Sequence, residues 1–472
     1  MVTSGSDSRS FVSFTGPRSP RYPAPDVARG FMLLLIALAN VSFWLMLWKE
    51  QPEPTTLGTA WEWVRGALVD QRSYPLFAML FGFGLMVMAR RRIEHDVESL
   101  VEANRAYYDS LPTDQQAAFL AAARKAATVD ARRMVRRRGW WMLVFGGVHS
   151  LFFFGDIIGA YGLIAVIFAG TFVHQRTKVQ WIAGTIAVLL CAATMVWGAW
   201  TMVTASSGDA VPTAGMAHVL ANSARSPWYP LISLGMWLYS TPMTLLASTS
   251  LPATFIGAWV ARTDLLTHPE RHRRRLISVG IAGLTLATIT SIPFRALLTG
   301  AELPLWLALT AGAVSMVVGG LAGGCAWLAL LAVFAGGARA DDQPLTGVRW
   351  LLAAVGKRSM TAYLTQTICF VLVYGTLAIV GTRAPGTVET ALVAVALWLL
   401  IAGLCVLLER SGRRGPFERM LRSAVARTAR RSKLSQLMAP VPAGVPAQSP
   451  QPQPMRGTIR SGTPSGAIAE LR

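Results

Sequence analysis

About ten apolar runs, each near the roughly 20 residues a helix needs to cross a bilayer, constrain this chain more than any other feature. They lie near residues 27–48, 75–90, 139–154, 157–174, 179–203, 236–262, 275–298, 306–335, 359–381 and 387–409. In hydrocarbon every backbone N–H and C=O must be bonded within the protein, so this series predicts an all-α, polytopic transmembrane helix bundle. Composition agrees, since 53% of the 472 residues are hydrophobic and 14% are charged, too few charges for soluble domains of that length. Run 306–335 exceeds one span and carries Gly312, Gly319, Gly320, Gly323 and Gly324, which predicts a tilted, broken or closely packed helix. The aromatic stretch 227–241, with Trp228, Tyr229, Trp237 and Tyr239, predicts an interfacial or re-entrant piece leading into run 236–262.

The formal charge of +20, from 44 Lys+Arg against 24 Asp+Glu, sits between the apolar runs. It therefore reads as topology and contact with anionic lipid headgroups, and nucleic acid is not expected as a partner. With the N-terminus inside, alternation puts Arg90 to Arg92, Arg132 to Arg138, Arg176, Lys178, Arg262, Arg271 and Arg273 to Arg275 on the cytoplasmic face. Arg339, Arg349, Lys357, Arg358 and the tail from Arg410 join them. The opposite face keeps scattered positives such as Lys49, Arg65, Arg72, Arg225 and Arg383. Both termini are thus expected inside. The domain plan is a disordered N-terminus over 1–25, a bundle over 26–410, a basic amphipathic helix over 411–438 and a disordered tail over 439–472. A cytoplasmic helical insertion spans 93–138. Its apolar positions Phe119, Ala122, Ala126, Val129 and Met134 follow Pro112, with Thr113 or Asp114 as the expected cap.

Several chemistries are excluded by pattern. The four cysteines, Cys191, Cys325, Cys369 and Cys405, fall inside apolar runs without CxxC spacing, so neither a disulfide framework nor a zinc site is expected. No HExxH, GxxxxGK[ST] or GxGxxG stretch occurs, which disfavours a zinc hydrolase, an ATPase and a dinucleotide oxidoreductase, and no metal site is expected.

Ionisable and amide side chains inside spans are expensive and mark sites by default. The block RRRGWWMLVFGGVHSLFFFGDIIGAYG, residues 136–162, puts His149 eleven residues beyond Arg138, about 16 Å along a helix. Asp156 follows at the outer turn, and Tyr161 lies one turn into the returning span. In the first span, Asp26 and Arg29 stand three apart at the cytoplasmic mouth, and Asn40 lies eleven residues deeper, again about 16 Å. Asp70 and Arg72 precede the second span on the same side of the membrane as Asn40. At the start of the ninth span, GKRSMTAYLTQT supplies Lys357, Arg358, Tyr363 and Gln366. His149, Asp156, Tyr161, Asn40 and Arg72 converge on one level of the membrane, and the orientation that puts them there comes from loop charges alone.

Together PDVARGFMLLLIALAN, SYPLFAMLFGFGL, the His149 block and GKRSMTAYLTQT resemble the YeiB-like bacterial membrane proteins over most of residues 25–420. That family has no established function and is distantly similar to the transmembrane acyltransferases, including the lysosomal enzyme that acetylates heparan glucosamine. Arg29-Gly30 and Asn40 match the relatives' first span in type and approximate spacing. The relatives' catalytic histidine follows that span, whereas loop 49–74 here has none, so the resemblance implies acyl transfer only with His149 in its place. Gly415-Pro416-Phe417-Glu418-Arg419 keeps the first part of the family's C-terminal motif. The resemblance implies a multi-pass protein of the bacterial cytoplasmic membrane and an acyl-CoA-type donor.

On this reading His149 is the general base, Asp156 its orienter, and Asn40 or Tyr161 the donor to a developing oxyanion. Arg29, Arg72, Arg136, Arg137, Arg138, Lys357, Arg358, Tyr363 and Gln366 are the expected binding residues. A small-molecule, glycan or lipid acceptor would come from outside. Two other functions remain open: a transporter with an intramembrane His/Asp site, and a structural membrane protein.

Overall fold

In a computed structural model, residues 22–50, 52–206, 226–338 and 344–429 are described. The proposed disordered segments, apart from residues 22–25, and residues 430–438 of the basic helix lie outside them, as does Arg339. The described residues are helices joined by short turns, with no strand among them. Seven helical segments are long and apolar enough to cross a membrane. They become eight if Tyr229–Leu246 and Ser250–Val260, which meet at 53°, form one span. Two of the ten expected runs do not reach that length. Run 139–154 is the apolar end of the 38-residue helix Thr113–Ser150, and run 157–174 is the 16-residue helix Ile158–Val173, about 24 Å long against a hydrocarbon core of about 30 Å.

The first helix, α1 (Ala24–Asn40), continues as a 3₁₀ stretch through Leu47. Residues 49–74, read from sequence as a loop, contain a second helix, α2 (Thr56–Leu68), whose start is capped by Thr55 Oγ1 accepting from the Gly58 amide at 3.0 Å. Helix α3 (Ser73–Ala103) runs from the bundle into the insertion. The short α4 (Arg105–Ser110) links it to α5 (Thr113–Ser150), which returns. The insertion is therefore a hairpin of two long helices, with Leu100, Ala123 and Ala127 packed at its core. The buried stripe of α5 is Ala123, Ala127, Ala131 and Val135, and Ala122, expected inward, is exposed. Pro112 occupies the cap position and no side chain caps the helix, so neither Thr113 nor Asp114 takes that part.

After α6 (Ile158–Val173) and α7 (Thr177–Ser206) comes the bent pair α8 (Tyr229–Leu246) and α9 (Ser250–Val260). Then α10 (Arg273–Leu298) leads to α11 (Leu305–Ala313) and α12 (Gly320–Ala335), which are joined by a π-helical turn over Val314–Gly319. The glycine-rich run is thus interrupted, and its Gly323 and Gly324 let Arg72 and Pro75 of the chain entering α3 approach closely.

Helix α13 (Gly347–Gly356) occupies a stretch read from sequence as a cytoplasmic loop. Its ten residues carry an apolar face, and Leu352 through Gly356 are buried against α1. A methyl group at Gly30 would collide with the Leu352 carbonyl, and one at Gly356 with the Asp26 carbonyl. The two helices therefore lie backbone to backbone, the approach small residues permit where apolar burial against lipid drives little. Helices α14 (Ser359–Val380), α15 (Thr387–Arg410) and α16 (Pro416–Arg427) complete the chain.

Candidate functional site

Two polar features stand out, a wide basic cavity at one end of the bundle and a buried hydrogen-bonded set inside it. The cavity encloses about 2670 Å³ and is lined by residues of α1, α3, α5, α13, α14, α15 and α16. Arg29, Arg136, Arg137, Arg138 and Lys357 all reach it, as the loop charges led one to expect. Arg90, Arg91, Arg92, Arg262, Arg414 and Arg422 add to its positive wall. Part of that charge is already answered. Arg29 Nη1 donates to Asp26 Oδ1 at 3.0 Å and its Nη2 to the Leu80 carbonyl at 3.3 Å. Lys357 Nζ donates to Glu409 Oε1 at 2.6 Å. By contrast Arg91, Arg136, Arg137, Arg138, Arg414 and Arg422 make no ion pair with a carboxylate among the described residues. Such a concentration of guanidinium groups around one hollow favours an anion of several charges, for which Arg offers paired donors in a plane. Apolar side chains share the wall with the arginines, among them Phe83, Trp141 and Met360.

Arg358 is not part of this wall. It is buried, its Nη1 donating to Glu409 Oε2 at 2.6 Å and to the Ala354 carbonyl at 3.1 Å, and its Nη2 to the Arg413 carbonyl at 2.5 Å. It joins α13, α15 and the turn after α15, a structural junction beside the cavity. Helix α16 lies over the cavity rim. Glu418 accepts from the Met360 and Thr361 amides at 2.7 and 2.9 Å and from Thr361 Oγ1 at 2.5 Å, at the first turn of α14. At the other end of α16, Trp141 Nε1 of α5 donates to Thr428 Oγ1 at 3.1 Å.

The buried set is centred on His149. Helix α5 stops at Ser150 and the chain turns back through residues 151–157 into α6. That turn brings Asp156 Oδ1 to 2.7 Å from His149 Nδ1, where an unbroken helix would hold the two about 10 Å apart. The second carboxylate oxygen accepts from the Gly159 amide at 2.7 Å and from Trp237 Nε1 at 3.3 Å. Asp156 thus sits at the start of α6 with each oxygen occupied. Glycine at 146 makes room for it, because a Cβ there would press on Asp156 Oδ2 and the Gly159 amide. On its other side His149 Nε2 lies 2.8 Å from Thr367 Oγ1 of α14. All three side chains are buried.

The remaining sequence candidates fall into place around this set in different ways. Tyr363, one turn before Thr367, has its ring centre 5.1 Å from that of His149. Its hydroxyl is buried with no partner at hydrogen-bond geometry. Gln366 Nε2 donates to the Leu33 carbonyl of α1 at 3.3 Å, a helix-to-helix tie. Asn40 and Tyr161 join a neighbouring group around Tyr74. The Tyr74 hydroxyl donates to Asn40 Oδ1 at 2.6 Å, and the Tyr161 hydroxyl donates to the Tyr74 carbonyl at 3.3 Å. Phe77 and Phe81 stack on the Tyr161 ring at 4.8 and 5.1 Å. Arg72 turns away from His149. It is almost completely buried, donating to the Asp70 carbonyl at 2.7 Å and to the Ala287 carbonyl of α10. Thr367, Trp237 and Tyr74 were not singled out by the sequence as site residues. A Thr in the run LTQT or a Trp in an apolar helix carries no signal until the helices are placed.

A family described as a protein of unknown function, DUF418, matches over residues 260–428. That stretch holds Lys357, Tyr363, Thr367 and Glu418 and begins after His149 and Asp156. No curated protein and no solved structure matches the chain.

Proposed function

We propose that this helical, membrane-embedded chain is an acyltransferase of a bacterial cytoplasmic membrane, with the basic end of its bundle facing inward. It takes an activated acyl donor into the cavity and passes the acyl group to an acceptor presented from the opposite side. The cavity supports this reading most. Its many arginines suit the phosphates of an acyl-CoA-type carrier, and the apolar part of its wall at Phe83, Trp141 and Met360 suits the acyl end. His149 then acts as the base, with Asp156 fixing the imidazole and stabilising its protonated form, the division of labour of base and orienter. Lys357 and Arg136 to Arg138 hold the donor. Arg358 and Arg72 hold helices.

Replacing His149 by Ala in purified protein abolishes acyl transfer to an amine or hydroxyl acceptor while the melting temperature shows a folded bundle. Full turnover in the variant would refute the assignment.

A second reading has an observation of its own. Both His149 ring nitrogens are bonded within the protein, and the residues lining the cavity do not include His149. A carrier that passes protons through the His/Asp pair would have this arrangement. Under it, uptake of a phosphorylated amphiphile into vesicles depends on external pH, loses that dependence in His149→Ala and yields no acyl product.

A further inference from the structure

We infer that Thr367 is the nucleophile of the transfer and carries the acyl group as an ester between donor and acceptor. The inference rests on the acyl-transfer reading above and adds a covalent step to it. Three observations carry it. First, Asp156, His149 and Thr367 form one chain of short hydrogen bonds, 2.7 Å from Oδ1 to Nδ1 and 2.8 Å from Nε2 to Oγ1. In the tautomer that gives Asp156 Oδ1 a donor, the proton is on Nδ1. Nε2 is then the acceptor, and the Thr367 hydroxyl donates to it. A hydroxyl nucleophile needs this alignment, a base in contact and a third group orienting the base. Second, a threonine inside a helix commonly returns its hydroxyl to the carbonyl four residues back. Here His149 is the one hydrogen-bond partner of the Thr367 hydroxyl among the described residues. Third, Met360, Tyr363 and Thr367 follow one another along one side of α14. Met360 lines the cavity, and Thr367 is seven residues deeper, about 10 Å. Between them lies the buried Tyr363 hydroxyl, its ring centre 5.1 Å from that of His149, a donor placed for an oxyanion forming beside Thr367.

The step balances without any oxidant or reductant. With a thioester donor, Thr367 Oγ attacks the carbonyl carbon as its proton passes to His149 Nε2. The C–O bond forms, the C–S bond breaks, and the proton returns from Nε2 to the departing thiolate. In the second half an acceptor hydroxyl or amine gives its proton to Nε2 and attacks the ester. Thr367 leaves as the alkoxide and regains the proton.

The test uses the full chain in lipid nanodiscs with acetyl-, octanoyl- and palmitoyl-coenzyme A and no added acceptor. Thiol release is followed after rapid mixing, and the acid-quenched protein is digested for mass spectrometry. Neutral hydroxylamine first removes any thioester on Cys369 or the other cysteines and leaves an oxygen ester. The expected result is a burst of roughly one thiol per chain with an ester on the Thr367 peptide. Both disappear in the near-isosteric Thr367→Val and in His149→Ala, and both survive in Thr367→Ser. Thiol release without an ester at Thr367, or wild-type release by Thr367→Val, overturns the covalent step and leaves direct acyl transfer standing. No release by the wild-type protein from any of the three thioesters overturns the covalent step; release that then begins on adding an amine or hydroxyl acceptor leaves direct transfer standing, and none even with acceptor overturns the acyl-transfer reading as well.

Discussion

At the scale of residues, the environment of Asp156 makes the sharpest demand on side-chain chemistry. Each of its oxygens accepts from a fixed donor, His149 on one side and Gly159 with Trp237 on the other. In Asp156→Asn one of those positions becomes an N–H facing an N–H, and a buried donor loses its partner. That substitution should destabilise the protein by about 1–3 kcal/mol and lower turnover more than the loss of fold explains. Thermal melts beside initial rates check it, and an unchanged melting temperature would show that the carboxylate is not held as described. The pairing of His149 with Asp156 was legible in the sequence because charged loops fix depth in a membrane and a turn between two runs fixes proximity. Depth along the membrane normal says nothing about direction around a helix. For that reason Arg72 was expected beside His149, yet it is bonded to the Ala287 carbonyl of α10, and Thr367, which touches His149, went unmarked.

At the scale of elements, the short helices were the least legible. Apolar length reveals spans, but α13 has ten residues and α2 has 13, and in a hydropathy reading such pieces merge into loops. What fixes α13 is contact, its Leu352 carbonyl on Gly30 of α1 and its Gly356 under the Asp26 carbonyl. Gly356→Leu should therefore force α1 and α13 apart, at about 1–3 kcal/mol or more, and disturb the neighbouring Arg29 at the cavity wall. A lower melting temperature together with weaker donor binding checks this, and wild-type values would show that the helices have room. Helix α16 is fastened to the bundle by a contact that its amphipathic pattern does not reveal. One carboxylate, Glu418, takes three hydrogen bonds from the first turn of α14. Glu418→Ala should release α16. Hydrogen exchange of the amides over 416–427 should then quicken markedly, with the exchange of α5 and α6 unaltered.

At the scale of the whole molecule, the bundle concentrates charge at one end and polar chemistry within. Positive residues from stretches far apart in the sequence, among them Arg90 to Arg92, Arg136 to Arg138, Arg262, Lys357 and Arg414, meet around a cavity of about 2670 Å³. Fields from so many guanidinium groups add, and salt screens them over about 10 Å at 0.1 M ionic strength. Binding of coenzyme A thioesters should weaken several-fold between low and high salt, and the paired change Arg136→Gln with Arg138→Gln should flatten that dependence. Salt-independent binding, read by calorimetry in nanodiscs, would place the donor elsewhere. The span count was less legible than the class of fold, because a helix that is half membrane and half insertion, as α5 is, has no single hydropathy. The account stands or falls on transfer from one end of the bundle to the other. The direct measurement is a two-sided assay in reconstituted vesicles of sorted orientation, with labelled acetyl-coenzyme A confined to the side of the basic cavity and an amine or hydroxyl acceptor confined to the other. The account predicts that free thiol accumulates with the donor while the acetyl label appears on the acceptor across the membrane, and that His149→Ala stops both. Label that stays on the donor's side, or thiol release unaffected by His149→Ala, would contradict it.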